Sequence, residues 1–156
     1  MRRNVSAALL MAAAALTAAA AFAEPFESNP NLSASDADYA AGKQAMEKKN
    51  WSEAAKRFAV ALKRNPDSAD LQNYLGYTHR NLKQYELAFK YYKRAIELEP
   101  RHRGAHEYIG EAYLLVNDLP NAEKHLAALR AICLLPCEEL DDLEREVAAY
   151  RSKRPG

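Results

Sequence analysis

The sequence predicts an all-α solenoid: three helix-turn-helix pairs closed by a C-terminal capping helix. Three observations carry that prediction. Residues recur at a spacing of 34: Gly42, Gly76 and Gly110; Ala54, Ala88 and Ala122; Trp51, Tyr85 and Leu119; Phe58, Tyr92 and Leu126, with Pro66 and Pro100 in the same register. Within each unit the apolar residues follow helical periodicity twice over. A proline then falls where the second helix must stop. A helix pair of this size cannot bury its apolar face alone, so successive pairs have to stack, and about three are needed for a stable array.

The elements follow in chain order. Met1–Asn4 carries Arg2 and Arg3, an uncharged Ala/Leu run extends to Ala20, and Ala21-Phe22-Ala23 gives the small-x-small pattern of a cleavage site. Residues 1–23 therefore read as a secretory signal peptide, with a periplasmic or secreted product that is not stably inserted in a membrane once the signal is removed. Removing them takes Arg2 and Arg3 with no carboxylate, so the formal charge passes from +1 to −1. That balance gives no electrostatic case for a nucleic-acid partner or an anionic membrane. Residues 24–34, rich in Pro, Asn and Ser, read as a flexible leader. The pairs then fall at 35–68, 69–102 and 103–136 by register. In the middle one, Leu71, Leu75 and Thr78 share a face of the first helix, and Ala88, Tyr92, Ala95 and Ile96 share a face of the second. Gly76 and Ala88 are small where larger side chains would hold the helices apart. Residues 137–152 read as the cap, with Leu140, Leu143, Val147 and Tyr150 on one face. Its acidic start and basic end suit the helix dipole.

These residues resemble the tetratricopeptide repeat family. The middle repeat carries Leu75-Gly76, Tyr85, Ala88, Tyr92, Ala95 and Pro100. The first carries Gly42, Trp51, Ala54, Phe58, Ala61 and Pro66, and the third Ile109-Gly110, Tyr113, Leu119, Ala122 and Leu126. The third departs from the pattern, with Leu129 and Leu134 where Ala and Pro are usual. The CxxxC, EEL-x-DL and AAY run of the tail is similar to tails of small exported repeat proteins of Gram-negative bacteria. The repeat resemblance implies a concave groove lined by the first helix of each pair.

By register the groove residues are Tyr39 and Lys43, then Asn73, Tyr74, Tyr77 and Arg80, then Glu107, Tyr108 and Glu111. Tyr and Arg combine contact area with a polar handle and are enriched in binding hot spots. Packing between repeats is the alternative role for each of them. Some relatives clamp a C-terminal carboxylate with Lys, Asn and Arg. The matching columns here are Tyr39, Lys43, Tyr74, Gly104 and Tyr108, so that specificity does not carry over.

Little points to catalysis. No Gly-rich phosphate loop and no nucleophile elbow is present, and carboxylates are expected on solvated faces or at helix starts. No catalytic residue, metal or cofactor is expected. His102 and His106, four apart, have a spacing that can ligate a metal, although His106 falls on a packing column. His79 falls on a core column, and His125 has no partner evident in sequence. The two cysteines, Cys133 and Cys137 in ICLLPC, are expected to form a disulfide that pins the turn into the cap, since an exported chain meets an oxidising compartment. The expected function is an exported module, not an enzyme, that binds a protein or peptide segment against Tyr and Leu, with Lys43, Arg80 and the glutamates setting orientation. The alternatives are an assembly or maturation factor of an envelope complex, and a metal or thiol carrier using Cys133, Cys137 and His102 or His106.

Overall fold

The computed structural model describes residues 36–153. The expected signal peptide and leader lie outside them. Seven helices and no strand are found among the described residues: α1 Ala37–Glu47, α2 Trp51–Arg64, α3 Ala69–Asn81, α4 Tyr85–Leu98, α5 Arg103–Leu115, α6 Leu119–Ile132 and α7 Glu138–Lys153. The helices α1–α2, α3–α4 and α5–α6 form three antiparallel pairs. None of the described helices is long and apolar enough to cross a membrane.

Local chemistry sets the boundaries. Asp36, Asn50, Ser68, His102 and Asp118 each accept a backbone N–H at a helix start, satisfying donors that have no intrahelical partner. Inside each pair the turn is made by a residue with positive φ. These are Lys49 at 54°, Lys83 at 60° and Asn117 at 64°, again 34 apart. The left-handed conformation closes the first helix, and the next N–H reaches back to Ala45, His79 or Tyr113.

Packing follows the columns. Ala54, Ala88 and Ala122 are fully buried, as are Phe58 and Tyr92. The Gly42 backbone lies against the Phe58 ring and the Gly76 backbone against the Tyr92 ring; a Cβ there would come within 2.6 Å and 2.5 Å of those rings. Helices α3 and α5 touch across the pair boundary, while successive second helices contact one another less. The first helices thus form the inner, concave layer. The cap departs from this arrangement: α7 leans more on α5 than on α6 and carries Leu143 over Gly110.

Several histidine and carboxylate readings are corrected. His102 and His106 do not converge. His102 precedes α5 as its N-cap: Nδ1 accepts from Ala105 N at 3.1 Å, and Nε2 donates to buried Asp70 at 3.1 Å. His106 Nε2 donates to the Pro100 carbonyl at 3.1 Å, so its Nδ1 accepts from His125 Nδ1, 3.0 Å away. His125 therefore does have a partner. Burial holds both rings below the usual histidine range, His125 down to about 4 with His106 beside it. His79 is half-buried rather than core, stacked on Tyr91 at 5.3 Å. Asp70 and Glu139 are buried at helix starts, one of the two expected placements, whereas Glu107 is buried within α5 and fits neither.

Cys133 and Cys137 form a disulfide with Cα atoms 6.1 Å apart. Cys133 caps α6 and Cys137 immediately precedes α7, so the bridge spans the turn between the helices. Arg101 donates to the Ile132 carbonyl at 3.3 Å beside it. Leu134 and Leu135, inside the ring, are exposed. Sulfurs joined in this way are not thiolate ligands, and with His102 and His106 engaged elsewhere the donor set of the carrier alternative is not assembled. Among the described residues no group of three or more His, Cys, Asp or Glu is placed to hold a metal.

Candidate functional site

The concave layer is built from contacts that recur at a separation of 31. Lys43 donates from Nζ to Tyr74 Oη at 3.2 Å. The Tyr77 ring lies 5.0 Å from the Tyr108 ring, and Arg80 is ion-paired with Glu111. Thirty-one is the repeat length less one short helical turn, so each first helix meets the next one turn back.

Eight of the nine residues singled out in sequence divide into two groups, and Glu107 stands apart. Tyr39, Asn73 and Tyr74 are buried. Tyr39 meets Phe58 and Tyr74 edge-on at 6.2 Å and 5.8 Å, and Tyr74 stacks on Phe58 at 5.2 Å. Their aromatic area holds α1, α2 and α3 together. Lys43 sits 5.0 Å above the Tyr74 ring and is half-buried.

The second group lies farther along the face. Arg80 lies over both Tyr77, at 5.1 Å, and Tyr108, at 5.4 Å, with Glu111 on its guanidinium. Cation–π stacking and a charge-assisted bond fix this arginine in one pose. Trp51 of α2 closes the other side of Tyr77 at 5.9 Å. Tyr77, Arg80, Tyr108 and Glu111 all remain half-buried, so this strip reaches the surface.

Glu107, one turn before Glu111, is 7% exposed. Burial pushes its carboxyl up to about 9; Glu111, Asp142 and Glu139 push the same way, and Arg80 opposes them. It is therefore a neutral acid at pH 7. Among the described residues Tyr92 Oη, wholly buried, has no hydrogen-bond partner. Asn73 Oδ1 is likewise buried and unpartnered.

Beyond Arg80 the face opens into a cleft of about 330 Å³ lined by Arg80, Asn81, Glu111, Leu114, Leu115 and Glu146. Sequence register identified Arg80 and Glu111 but not the other four. Asn81, Leu114 and Leu115 lie in the last turns of α3 and α5, and Glu146 is brought in by the lean of α7. The signal that could have found Asn81 and Leu115 is their continuation of the same face one turn past Tyr77 and Glu111.

A tetratricopeptide-repeat family profile matches residues 39–100 and 90–133. Human protein O-mannosyl-transferase TMTC3 is 35% identical over 75 residues, 48% of this chain but only 8% of that protein, and the mouse protein matches in the same way. Among solved structures, the TPR2B domain of yeast Sti1 in its pHsp70 complex superposes with a TM-score of 0.69 at 20% identity, covering 75% of this chain and 95% of that one. The type III secretion translocator chaperone SycD of Yersinia enterocolitica also gives 0.69, at 18% identity over 76% and 92%. The first TPR of RPAP3, bound to the HSP90 peptide SRMEEVD, gives 0.64 at 17% over 72% and 89%. With the profile spanning three helix pairs, the chain belongs to the tetratricopeptide-repeat family.

Proposed function

We propose that this protein is an exported, non-catalytic interaction module that holds a segment of a partner protein against its concave face. The observation that carries the reading is the half-buried strip Tyr77–Arg80–Tyr108–Glu111. It presents aromatic area and a fixed arginine at the surface, whereas Tyr39, Asn73 and Tyr74 are spent on internal packing. Rigid, pre-ordered anchors lose little conformational entropy on binding. The Sti1 and RPAP3 domains, which share the fold, hold Hsp70 and HSP90 peptides. Their ligands do not transfer, because the carboxylate-clamp columns here are Tyr39, Lys43, Tyr74, Gly104 and Tyr108.

Export is supported by the cleavage pattern at Ala21-Phe22-Ala23 and by the Cys133–Cys137 bridge, which suits a periplasmic or secreted protein. An intact mass beginning at Glu24 is expected for the exported product; a mass retaining residues 1–23 would contradict it. For the binding face, photocrosslinking residues placed at Tyr77 and Tyr108 in cells should give discrete adducts, and positions Lys56 and Lys90 on the outer helices should not. Changing Tyr77 and Arg80 together to Ala should abolish binding of the captured partner with helicity retained. Equal adducts from Lys56 and Lys90 would sink the concave-face reading.

A further inference from the structure

We infer that the cleft between α3, α5 and α7 receives a basic side chain, lysine or arginine, of the segment held on the concave face. This rests on the concave-face reading above and names the chemistry that face selects.

The charge inventory of the cleft points to a cation. Arg80 is the one basic group in the lining, and it is already committed to Glu111 and to the faces of Tyr77 and Tyr108, with its side chain 12% exposed. Glu146, exposed on α7, takes part in no ion pair among the described residues. Both helices that floor the cleft end there, α3 at Asn81 and α5 at Leu115, so their negative dipole ends border it. The last turn of α5 contains no basic residue to offset that dipole.

Two further features fit a long basic side chain rather than a small ion. Leu115 is 55% exposed beside Leu114, an apolar wall for the methylene stem of lysine or arginine, whose charged head would reach Glu146. Asn81 donates from Nδ2 to the Tyr77 carbonyl at 2.9 Å, which leaves its Oδ1 as an acceptor for an ammonium or guanidinium group. A carboxylate ligand would have to displace Glu111 from Arg80 and then face Glu146. The cleft therefore discriminates against the acidic peptides held by related folds by repulsion as well as by missing contacts.

The test is an NMR titration of the protein purified from cells expressing the full chain. The probes are three synthetic peptides: acetyl-Leu-Lys-Leu-amide, its norleucine isostere and its glutamate counterpart. The lysine peptide should shift the amide signals of Glu111, Leu114, Leu115 and Glu146, and should bind about 5-fold or more tighter than the norleucine peptide. Glu146→Gln, on an exposed helix face, should reduce that affinity about 2- to 5-fold, and Glu146→Lys about 10-fold. Raising the salt should weaken lysine binding only. Equal binding of the norleucine peptide, or tighter binding of the glutamate peptide, would overturn the inference and leave the concave-face reading intact. No shift at these positions with any peptide at about 10 mM would also overturn it. The concave-face reading is decided separately, by the crosslinks.

Discussion

The first two helix pairs and the third are built on one 34-residue frame but packed with different materials. Around α1–α3 the core is aromatic: Tyr39, Phe58 and Tyr74 interlock, and Tyr92 continues the column behind Gly76. Around α5–α7 it is aliphatic: Leu114, Leu126, Leu129, Leu143 and Val147. The glycine column shows what changed. Gly42 and Gly76 face a ring of their own second helix, whereas Gly110 faces Leu143 of the cap. A flat ring filling the space over each glycine lets pair follow pair in the same geometry. Leucine in place of the ring lets α7 settle inward on α5 and end the array, and that inward lean is also what makes the cleft.

The largest expected effect comes from the glycine column itself. A Cβ at Gly76 would stand 2.5 Å from Tyr92 ring carbons, and the ring is fully buried with nowhere to retreat. Gly76→Ala should cost about 2–3 kcal/mol by overpacking. At Gly110 the obstacle is the end of a flexible side chain, Leu143 Cδ2 at 2.6 Å. A rotamer shift relieves it, and the gain in helix propensity offsets most of the rest, so Gly110→Ala should cost about 1 kcal/mol or less. Urea melts of the two variants measure the difference. Equal losses would mean that the third pair packs as the first two do.

Next is the disulfide, which is found only at the cap end. Closing a ring of about five residues restricts the unfolded chain by ~2 kcal/mol. Replacing both cysteines with serine should lower stability by about that amount and speed hydrogen exchange in α7 before α3. Uniform loss of protection along the chain would show that the bridge does not act at the array end.

The carboxyl of Glu107 distinguishes the third pair again, since it is buried with Glu111 of its own helix and Asp142 and Glu139 of α7 raising its pKa. Its pKa of about 9 in the folded state exceeds its unfolded value. A raised acid pKa means that the unfolded chain loses its proton first as the pH rises. The stability associated with the neutral acid is therefore complete below the unfolded pKa of 4.5 and is lost progressively up to about 9. Glu107→Gln should consequently stabilise the protein progressively more as the pH rises from 4.5 towards 9, and by almost nothing at pH 4. A stabilisation independent of pH would remove the buried acid from the account.

How much of this was legible in the sequence depends on distance in the frame. The columns, the helix pairs and the glycine and alanine packing positions repeat at 34, so register alone placed them. Contacts at 31, such as Arg80 with Glu111 and Tyr77 with Tyr108, follow from the same register once one helical turn is subtracted. Register alone does not say that the pairs close on each other. The His106–His125 bond joins two helices of one pair at a spacing of 19, as the Asp38–Arg57 ion pair does in the same columns of the first repeat, but register does not say that two histidines there will bond. The burial of Glu107 and the entry of Glu146 into the cleft depend on how α7 leans, and α7 lies outside the repeat. Tyr39, Asn73 and Tyr74 share the concave register with Tyr77 and Tyr108, and the pattern contains nothing that separates buried members from surface ones.

The smallest expected effect probes the turns, where the pairs differ by one side chain. Lys49, Lys83 and Asn117 occupy the same left-handed position, with φ between 54° and 64°. A lysine Cβ crowds the following carbonyl in that conformation, at about 1 kcal/mol; asparagine tolerates it better because its short polar side chain can bond locally. Glycine has no such penalty, although it enlarges the conformational freedom of the unfolded chain. Lys83→Gly should therefore raise stability by about 0.5 kcal/mol, Lys49→Gly by a similar amount, and Asn117→Gly by roughly nothing. The gain at Lys83 should appear as slower unfolding of α3–α4 without a change in the far-ultraviolet spectrum. If Asn117→Gly gains as much as Lys83→Gly, the turn strain is the same in all three pairs, and the difference between the regions belongs to the packing over the glycines alone.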